Sequence, residues 1–134
     1  MTMTQRQEEA ERLCHIFRET AEKIWRYYDS ATISLPYHYS NGIVATVRVK
    51  VMEDGRVYVS DNGGAAPNEG LTIKDVKRIC RKHGLCYETI DENMAMPLCC
   101  DMYRIVEKKD FVPAVWDIIE AILEARYMGG KKRG

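Results

Sequence analysis

Long apolar runs are missing from this sequence. No stretch approaches the roughly 20 apolar residues that a membrane-spanning helix needs. The opening residues, MTMTQRQEE, also contain no apolar stretch of the kind that forms the core of a signal peptide. These absences predict a cytoplasmic protein without a membrane partner.

An excess of charge of either sign is also missing. Lysine and arginine together number 20, as do aspartate and glutamate, so the formal net charge is zero. Because nonspecific nucleic-acid affinity comes mainly from neutralising phosphates, this balance argues against a general polyanion binder. It argues equally against an acidic mimic of DNA.

Cysteine is present in a pattern that does not suit a disulfide framework. The count is odd, two of the residues are adjacent, and no secretion signal accompanies them. We therefore expect reduced thiols at all five positions: Cys14, Cys80, Cys86, Cys99 and Cys100.

What the sequence does contain is typical of a globular domain. The 134 residues are 46% apolar and 30% charged. We predict a single domain over residues 1–134, with residues 1–4 and 129–134 as flexible ends.

The N-terminal region reads as one amphipathic helix over residues 5–28. Its apolar residues recur at spacings of three and four, as one face of a helix requires: Ala10, Leu13, Phe17, Ala21, Ile24 and Tyr28. A short strand over residues 32–35 follows, and we expect it to stop at Pro36, which has no N–H for a ladder.

The clearest feature is a β-hairpin. Valines at 47, 49 and 51 alternate with polar residues, as do Val57 and Val59, which is the two-residue period of a half-buried strand. A two-residue loop at Asp54-Gly55 would pair Val51 with Tyr58 and mix the two faces. A three-residue loop, 53–55, pairs Val51 with Val57 and keeps all five valines on one face, so we predict that register.

A short helix is predicted after the hairpin. Thr72 is placed as its N-cap with Asp75 three residues on, and Gly84 is placed to end it. Residues 85–90 read as a strand, with 102–107 as its antiparallel partner.

A final helix is predicted to begin at Asp110, with Pro113 in its first turn and Gly129-Gly130 at its end. Its expected apolar stripe is Val112, Val115, Trp116, Ile119, Ile122 and Leu123. The predicted fold class is therefore α+β: an antiparallel sheet with a central hairpin, in the order α-β-β-α-β-β-α, with the helices packed on one face.

Aromatic residues crowd the region around the first predicted strand. Tyrosine is favoured at interfaces because it buries apolar area and keeps a polar tip. We therefore predict a partner-binding surface from Tyr27, Tyr28, Tyr37, His38 and Tyr39.

A second candidate surface is basic. Five cations crowd the short helix: Lys74, Lys77, Arg78, Arg81 and Lys82. A solvated helix face is the ordinary explanation, and a nucleic-acid patch is the functional alternative.

Metal and thiol chemistry have weaker support. Cys80, His83 and Cys86 carry zinc-binding side chains, but their spacing matches no paired-ligand pattern. The run at 61–64, Asp-Asn-Gly-Gly, lacks the residues of a phosphate loop or a calcium loop and reads as a turn. We predict no catalytic residues, no metal and no cofactor.

The chain resembles an uncharacterised domain-of-unknown-function family that is common in prophage and mobile-element proteins. The matching pieces are the strand ending in Pro36, the run 57–63, Gly84-Leu85 and the helix from Asp110, within about residues 30–126. Asn62 stands where the family pattern has an acidic residue. The resemblance implies a fold and a phage context, and it implies no catalytic residues.

The leading hypothesis is a non-enzymatic protein-binding module, specifically a phage-encoded inhibitor of a host defence system, in the manner of anti-CRISPR proteins. One alternative is a small nucleic-acid-associated protein that uses the basic helix. Another is a small metal-binding or cysteine-dependent protein. A homodimer is also left open.

Overall fold

A computed structural model describes residues 1–89 and 99–133. Six antiparallel strands form one sheet in the order β1-β2-β3-β4-β6-β5. The strands are β1 (Lys23–Tyr27), β2 (Ser30–His38), β3 (Val44–Val51), β4 (Val57–Ser60), β5 (Cys86–Thr89) and β6 (Cys100–Val106). The helices are α1 (Met3–Cys14), α2 (Ala65–Glu69), α3 (Ile73–His83) and α4 (Phe111–Arg133). Single 3₁₀ turns lie at His15–Phe17 and Lys108–Asp110.

The helices cover one face of the sheet. The inward side chains of β3 alternate strictly with half-buried ones, and helices α1 and α4 supply the opposing core side chains. All of these buried residues belong to one cluster, so a single core lies between the helical layer and the sheet. The predicted α+β class and the one-sided helical layer are confirmed.

The predicted register of the hairpin is confirmed. Val49 pairs with Val59 and Val51 with Val57 across β3 and β4. The Met52 N–H donates to the Arg56 carbonyl at 2.8 Å, which closes the three-residue loop. Gly55 occupies the left-handed region at φ 88°, a conformation that costs glycine little.

The predicted N-terminal helix is wrong beyond Phe17. Helix α1 ends at Cys14, and residues Lys23–Tyr27 form β1, the edge strand that pairs with β2. Ile24 still packs against the core, because it faces the helices from the strand just as it would from a helix.

Strand β2 runs through Pro36 instead of stopping there. The register between β2 and β3 shifts between Ser34 and His38. A bulged segment of this kind tolerates a residue without an N–H, which explains why the proline does not end the strand.

The predictions for helix α3 are confirmed. Thr72 and Asp75 exchange side-chain and backbone hydrogen bonds as a capping box, and Gly84 ends the helix at φ 67°. Strands β5 and β6 pair as expected, although Ile90 lies outside the described residues.

Helix α4 does not end at the glycine pair. It continues through Gly129 and Gly130 to Arg133, and Gly129 is buried. The predicted apolar stripe is also partly wrong, since Trp116 is 42% exposed while Phe111 and Ile118 fill the core. Among the described residues no helix is both long and apolar enough to cross a membrane.

Candidate functional site

The face of the sheet opposite the helices is open in the part of the chain that the structure describes. Directly opposite residues in an antiparallel pair point to the same side, so the register identifies its members. Trp25, Arg48 and Tyr103 share one cross-strand row, and Tyr27, Lys50 and Tyr58 share the next. We call this surface the open face, and its large apolar members are Trp25, Tyr27, Tyr58, Tyr103 and Ile105.

Aromatic rings on the open face make ordered contacts. Tyr58 and Tyr103 stack with their ring centroids 5.1 Å apart and their planes inclined by 24°. The Lys23 ammonium lies 5.6 Å from the centroid of the Trp25 ring, within the range of a cation–π contact. Tyr27 is 59% exposed and meets Tyr28 edge to face. Rings held in this way contribute contact area at a low cost in side-chain entropy.

Two cations of the open face share one carboxylate. Asp29 accepts from Arg48 at 3.0 Å and contacts Lys50 at 2.9 Å. Burial alone would raise the pKa of Asp29, but the hydrogen bonds from these two cations outweigh it and lower that pKa. The open face is therefore a mixture of apolar and polar side chains and is not strongly charged.

At the β6 side of the open face, Tyr58 Oη donates to Asp101 Oδ2 at 3.1 Å. Burial and the neighbouring Asp101 carboxylate both raise the pKa of Tyr58. The hydroxyl is therefore a donor over the whole physiological pH range, which fixes the direction of this hydrogen bond.

The residues of the predicted tyrosine surface fall into two groups at opposite ends of β2. Tyr27 and Tyr28 lie at the β1–β2 turn, whereas Tyr37 and His38 lie at the far end of β2. At about 3.3 Å per residue, roughly 25 Å of strand separates the two groups. Only Tyr27 joins the other aromatic residues of the open face.

Tyr39 is not part of a surface, contrary to the prediction, because it is only 3% exposed. Its hydroxyl has no hydrogen-bond partner among the residues that the structure describes, and it lies 2.9 Å from where a Cβ on Gly64 would stand. Burial, followed by the Asp61 and Glu69 carboxylates, raises the pKa of this tyrosine. Tyr39 thus belongs to a buried polar group with Asp61 and Glu69.

Asp61 is the centre of that buried group. Its Oδ1 accepts from the N–H groups of Gly63 and Met102 at 3.0 and 3.1 Å, and its Oδ2 accepts from Ala65 at 3.1 Å. Burial raises the pKa of Asp61 to about 7 despite these three bonds. The side chain joins the end of β4 to α2 and β6, which is a structural role.

Glu69 is the second carboxylate near Tyr39. Its Oε2 accepts from the Ser40 N–H at 2.9 Å, whereas its Oε1 is buried and has no hydrogen-bond partner within residues 1–89 and 99–133. Among the described residues, no group of three or more metal-ligating side chains is placed to hold an ion.

The basic helix presents all five of its predicted residues to solvent: Lys74, Lys77, Arg78, Arg81 and Lys82. Lys82 is bound to Glu124 of α4 at 2.9 Å. Lys77 and Arg81 line a shallow cleft together with Cys86 and Tyr87 of the edge strand β5.

The candidate zinc ligands are not brought together. The His83 ring lies between Glu124, 2.6 Å from Nε2, and Glu120, 3.8 Å from Nδ1, and thus contacts α4. Cys80 instead directs its thiol to the Cys86 carbonyl at 3.7 Å, and burial raises the pKa of Cys80 to about 12. A thiol with so high a pKa is not a ready nucleophile.

Trp25 and Tyr103 were missed by the sequence prediction. Trp25 lay inside the predicted helix, and Tyr103 was seen only as part of an alternating strand. One signal was available: Lys23, Trp25 and Tyr27 alternate with Ile24 and Arg26 in a segment rich in aromatic residues, which is typical of a strand.

Comparisons of the chain with protein-family models, with curated proteins and with solved structures found no match.

Proposed function

We propose that this chain is a non-enzymatic binding module that holds a partner protein against its open face. The observation that carries the proposal is the set of aromatic side chains, Trp25, Tyr27, Tyr58 and Tyr103, presented on a sheet face without a covering helix in the described residues. Tyrosine and tryptophan dominate the centres of protein interfaces, where they bury apolar area around a polar tip.

The charge pattern supports a protein partner over a nucleic acid. Arg48 and Lys50 share the single carboxylate of Asp29, and the opposite half of the face carries two further carboxylates, those of Asp101 and Glu88. A surface with both signs of charge offers little counterion release to a polyphosphate. It does offer orientation to a protein whose own charges are complementary.

The absence of an assembled catalytic group is consistent with a binding role. Among the described residues, the cysteine thiols and the His83 imidazole do not meet, and His83 is bound by two glutamates. Nucleophilic catalysis needs a nucleophile and a base within hydrogen-bond reach.

A narrower form of the proposal is a cytoplasmic, phage-encoded inhibitor of a host defence system. Its support is the resemblance within residues 30–126 to a family common in prophages. Inhibition in this form is occlusion: the open face covers the working surface of the host component, and no chemistry is required of this chain.

The test is affinity capture followed by variants that change only the exposed rim of the open face. Tyr27→Ala combined with Ile105→Ala removes two side chains that are 59% and 37% exposed, so the fold should be retained. Ile43→Ala is the matched control, since Ile43 is 53% exposed on a loop outside the open face. We expect the captured protein to be lost with the double variant and kept with the control.

Two results would count against the proposal. One is a captured protein that both variants retain equally. The other is capture of nucleic acid alone, with affinity that falls steeply between 50 and 200 mM salt and is lost when Arg78 and Arg81 become glutamine. The second result would instead support the basic helix as a nucleic-acid surface.

A further inference from the structure

The turn between β1 and β2 holds a tyrosine in a backbone conformation that tyrosine rarely adopts. Tyr27 pairs with Ser30, so Tyr28 and Asp29 form a two-residue hairpin loop. Tyr28 has φ 54°, in the left-handed region, whereas Asp29 does not have a positive φ. A positive φ at the first loop position alone is the pattern of a type II′ turn, in which glycine normally stands. The Cβ of Tyr28 is therefore a source of backbone strain.

Other left-handed positions of the chain are filled by residues that tolerate them. Among the described residues, the other non-glycine residue with a positive φ is Asn62, whose short polar side chain suits this conformation. The remaining positions are all glycines: Gly42, Gly55, Gly63, Gly70 and Gly84. Tyr28 is therefore the exception within its own chain, and the preferences of the backbone do not account for it.

Contacts from two other elements hold the strained turn in place. The Gln7 side chain of α1 donates from Nε2 to the Tyr28 carbonyl at 2.5 Å. The Asp29 carboxylate is bound by Arg48 and Lys50 of β3 at 3.0 and 2.9 Å. A strained conformation persists only where its surroundings over-determine it, and such positions cluster at active sites, ligand clamps and switch regions.

The Tyr28 side chain contributes little burial that could offset the strain. It is 77% exposed, the largest exposed fraction of any large apolar residue in the part of the chain that the structure describes. Its ring meets Tyr27 edge to face with the centroids 4.5 Å apart, and Tyr27 is itself 59% exposed. The fold therefore bears the strain of an aromatic residue whose ring lies in solvent.

We propose that Tyr28 is the anchor residue of the partner surface, and that its ring inserts into an apolar pocket of the partner protein. This inference rests on the proposed function. Tyr27 lies in the row of the open face that contains Lys50 and Tyr58, so Tyr28 extends this face at its β1 corner. Tyrosine is enriched among the few residues that dominate the binding energy of an interface. A turn already held in one conformation presents the ring without the cost of ordering a loop.

The strain is tested by comparing alanine with glycine at position 28, because both remove the ring and only glycine removes the Cβ. We expect Tyr28→Gly to melt about 2–5 °C higher than Tyr28→Ala. Gly55→Ala is the matched converse, since it adds a Cβ at φ 88° with nothing within 4 Å, and it should melt below the wild type by a similar amount. Thermal unfolding of the full chain measures all three. Equal melting temperatures for the two variants at position 28 would overturn the inference, because no strain would then mark this residue.

The anchor role is tested by titrating the protein identified by affinity capture, once purified, against variants of the full chain. We expect Tyr28→Ala and Tyr28→Gly each to raise Kd at least about tenfold, because both remove the ring. Tyr28→Phe keeps the ring and should bind within about threefold of the wild type, as should the exposed loop control Ile43→Ala.

Two outcomes separate failure of the anchor from failure of the proposed function. If Tyr28→Ala binds like the wild type while the Tyr27→Ala, Ile105→Ala double variant does not, the open face is the partner surface and Tyr28 is not its anchor. If neither variant changes the affinity, or if the wild type captures no protein, both the partner surface and the anchor are overturned.

Discussion

Tyr58 stacks on Tyr103 across strands β4 and β6, but only one of the two hydroxyls is bound. Tyr58 Oη donates to Asp101 Oδ2 at 3.1 Å, while the Tyr103 hydroxyl makes no hydrogen bond with any residue that the structure describes. The Tyr58 ring is therefore anchored by a hydrogen bond, and the Tyr103 ring is held by stacking on Tyr58.

Phenylalanine substitutions distinguish the hydrogen-bonded Tyr58 from Tyr103, which is held by stacking. Tyr58→Phe removes a hydrogen bond to a charged group and should lower the free energy of unfolding by about 1 kcal/mol. Tyr103→Phe keeps the stacked ring and breaks no intramolecular bond of the described residues, so its effect should be within about 0.5 kcal/mol of zero. Urea denaturation of both variants measures the difference, and equal losses would show that the Asp101 contact does not stabilise the fold.

Asp61 makes the stability of the protein depend on pH. Its pKa is raised from 3.8 to about 7 in the folded protein, mainly by burial, so the folded state binds this proton more tightly than the unfolded chain. The stabilisation is complete below about pH 4 and is lost as the pH rises towards 7. We expect the free energy of unfolding to fall through this window by at most about 1.4 kcal/mol per pH unit.

The Asp61→Asn variant tests whether the Asp61 carboxyl group is the source of this pH dependence. The amide cannot ionise, so the slope between pH 4 and pH 7 should flatten. Because its –NH₂ group replaces an oxygen that accepts a backbone N–H, the variant should also be less stable by about 1–3 kcal/mol. Chemical denaturation at several pH values tests both effects. A slope unchanged by the substitution would assign the pH dependence to another group.

Thiol reactivity should divide the cysteines into two classes. Cys86 and Cys99 are exposed, whereas Cys14, Cys80 and Cys100 are buried and burial raises the pKa of each to about 12. Because the thiolate is the reactive form, a disulfide reagent should modify two thiols rapidly in the folded protein. All five should react in denaturant. Rapid modification of a third thiol in the native protein would contradict the burial of that residue.

The hairpin was predictable because local and long-range requirements agree there. The period-two valines have only one register that keeps a single apolar face, and Gly55 supplies the left-handed residue that this register needs. The same agreement explains the success at Thr72 and Gly84, where both ends of α3 are specified by local hydrogen bonding.

Residues 23–27 were not predictable in the same way. Spacings of three and four place Ala21 and Ile24 on a helical stripe, while a period of two places Trp25 and Tyr27 on one side of a strand. Pairing of β1 with β2 decides between the two, and that contact is not visible in the local sequence. The sequence therefore predicts only part of the open face, because Tyr58 lies on a predicted strand and Trp25 does not.

Gly129 and Gly130 show why a glycine pair did not end helix α4. A Cβ added to Gly129 would lie 2.8 Å from the Glu69 Cβ, whereas nothing lies within 4 Å of one added to Gly130. Gly129 is therefore required by the close approach of α2 to α4, and its place in the helix follows from packing rather than from helix propensity.

The same substitution at these neighbouring positions should have opposite effects. Gly129→Ala forces the buried Glu69 side chain to move and should lower the free energy of unfolding by about 1–3 kcal/mol. Gly130→Ala adds an exposed methyl group in the last turns of the helix and should raise it by a few tenths to about 1 kcal/mol. Thermal and urea unfolding of the two variants provide the comparison, each serving as the control for the other. If both alanines stabilise the protein, the two helices do not meet at Gly129. If both destabilise it, the helix ends before residue 130, where a glycine would then be needed for a turn.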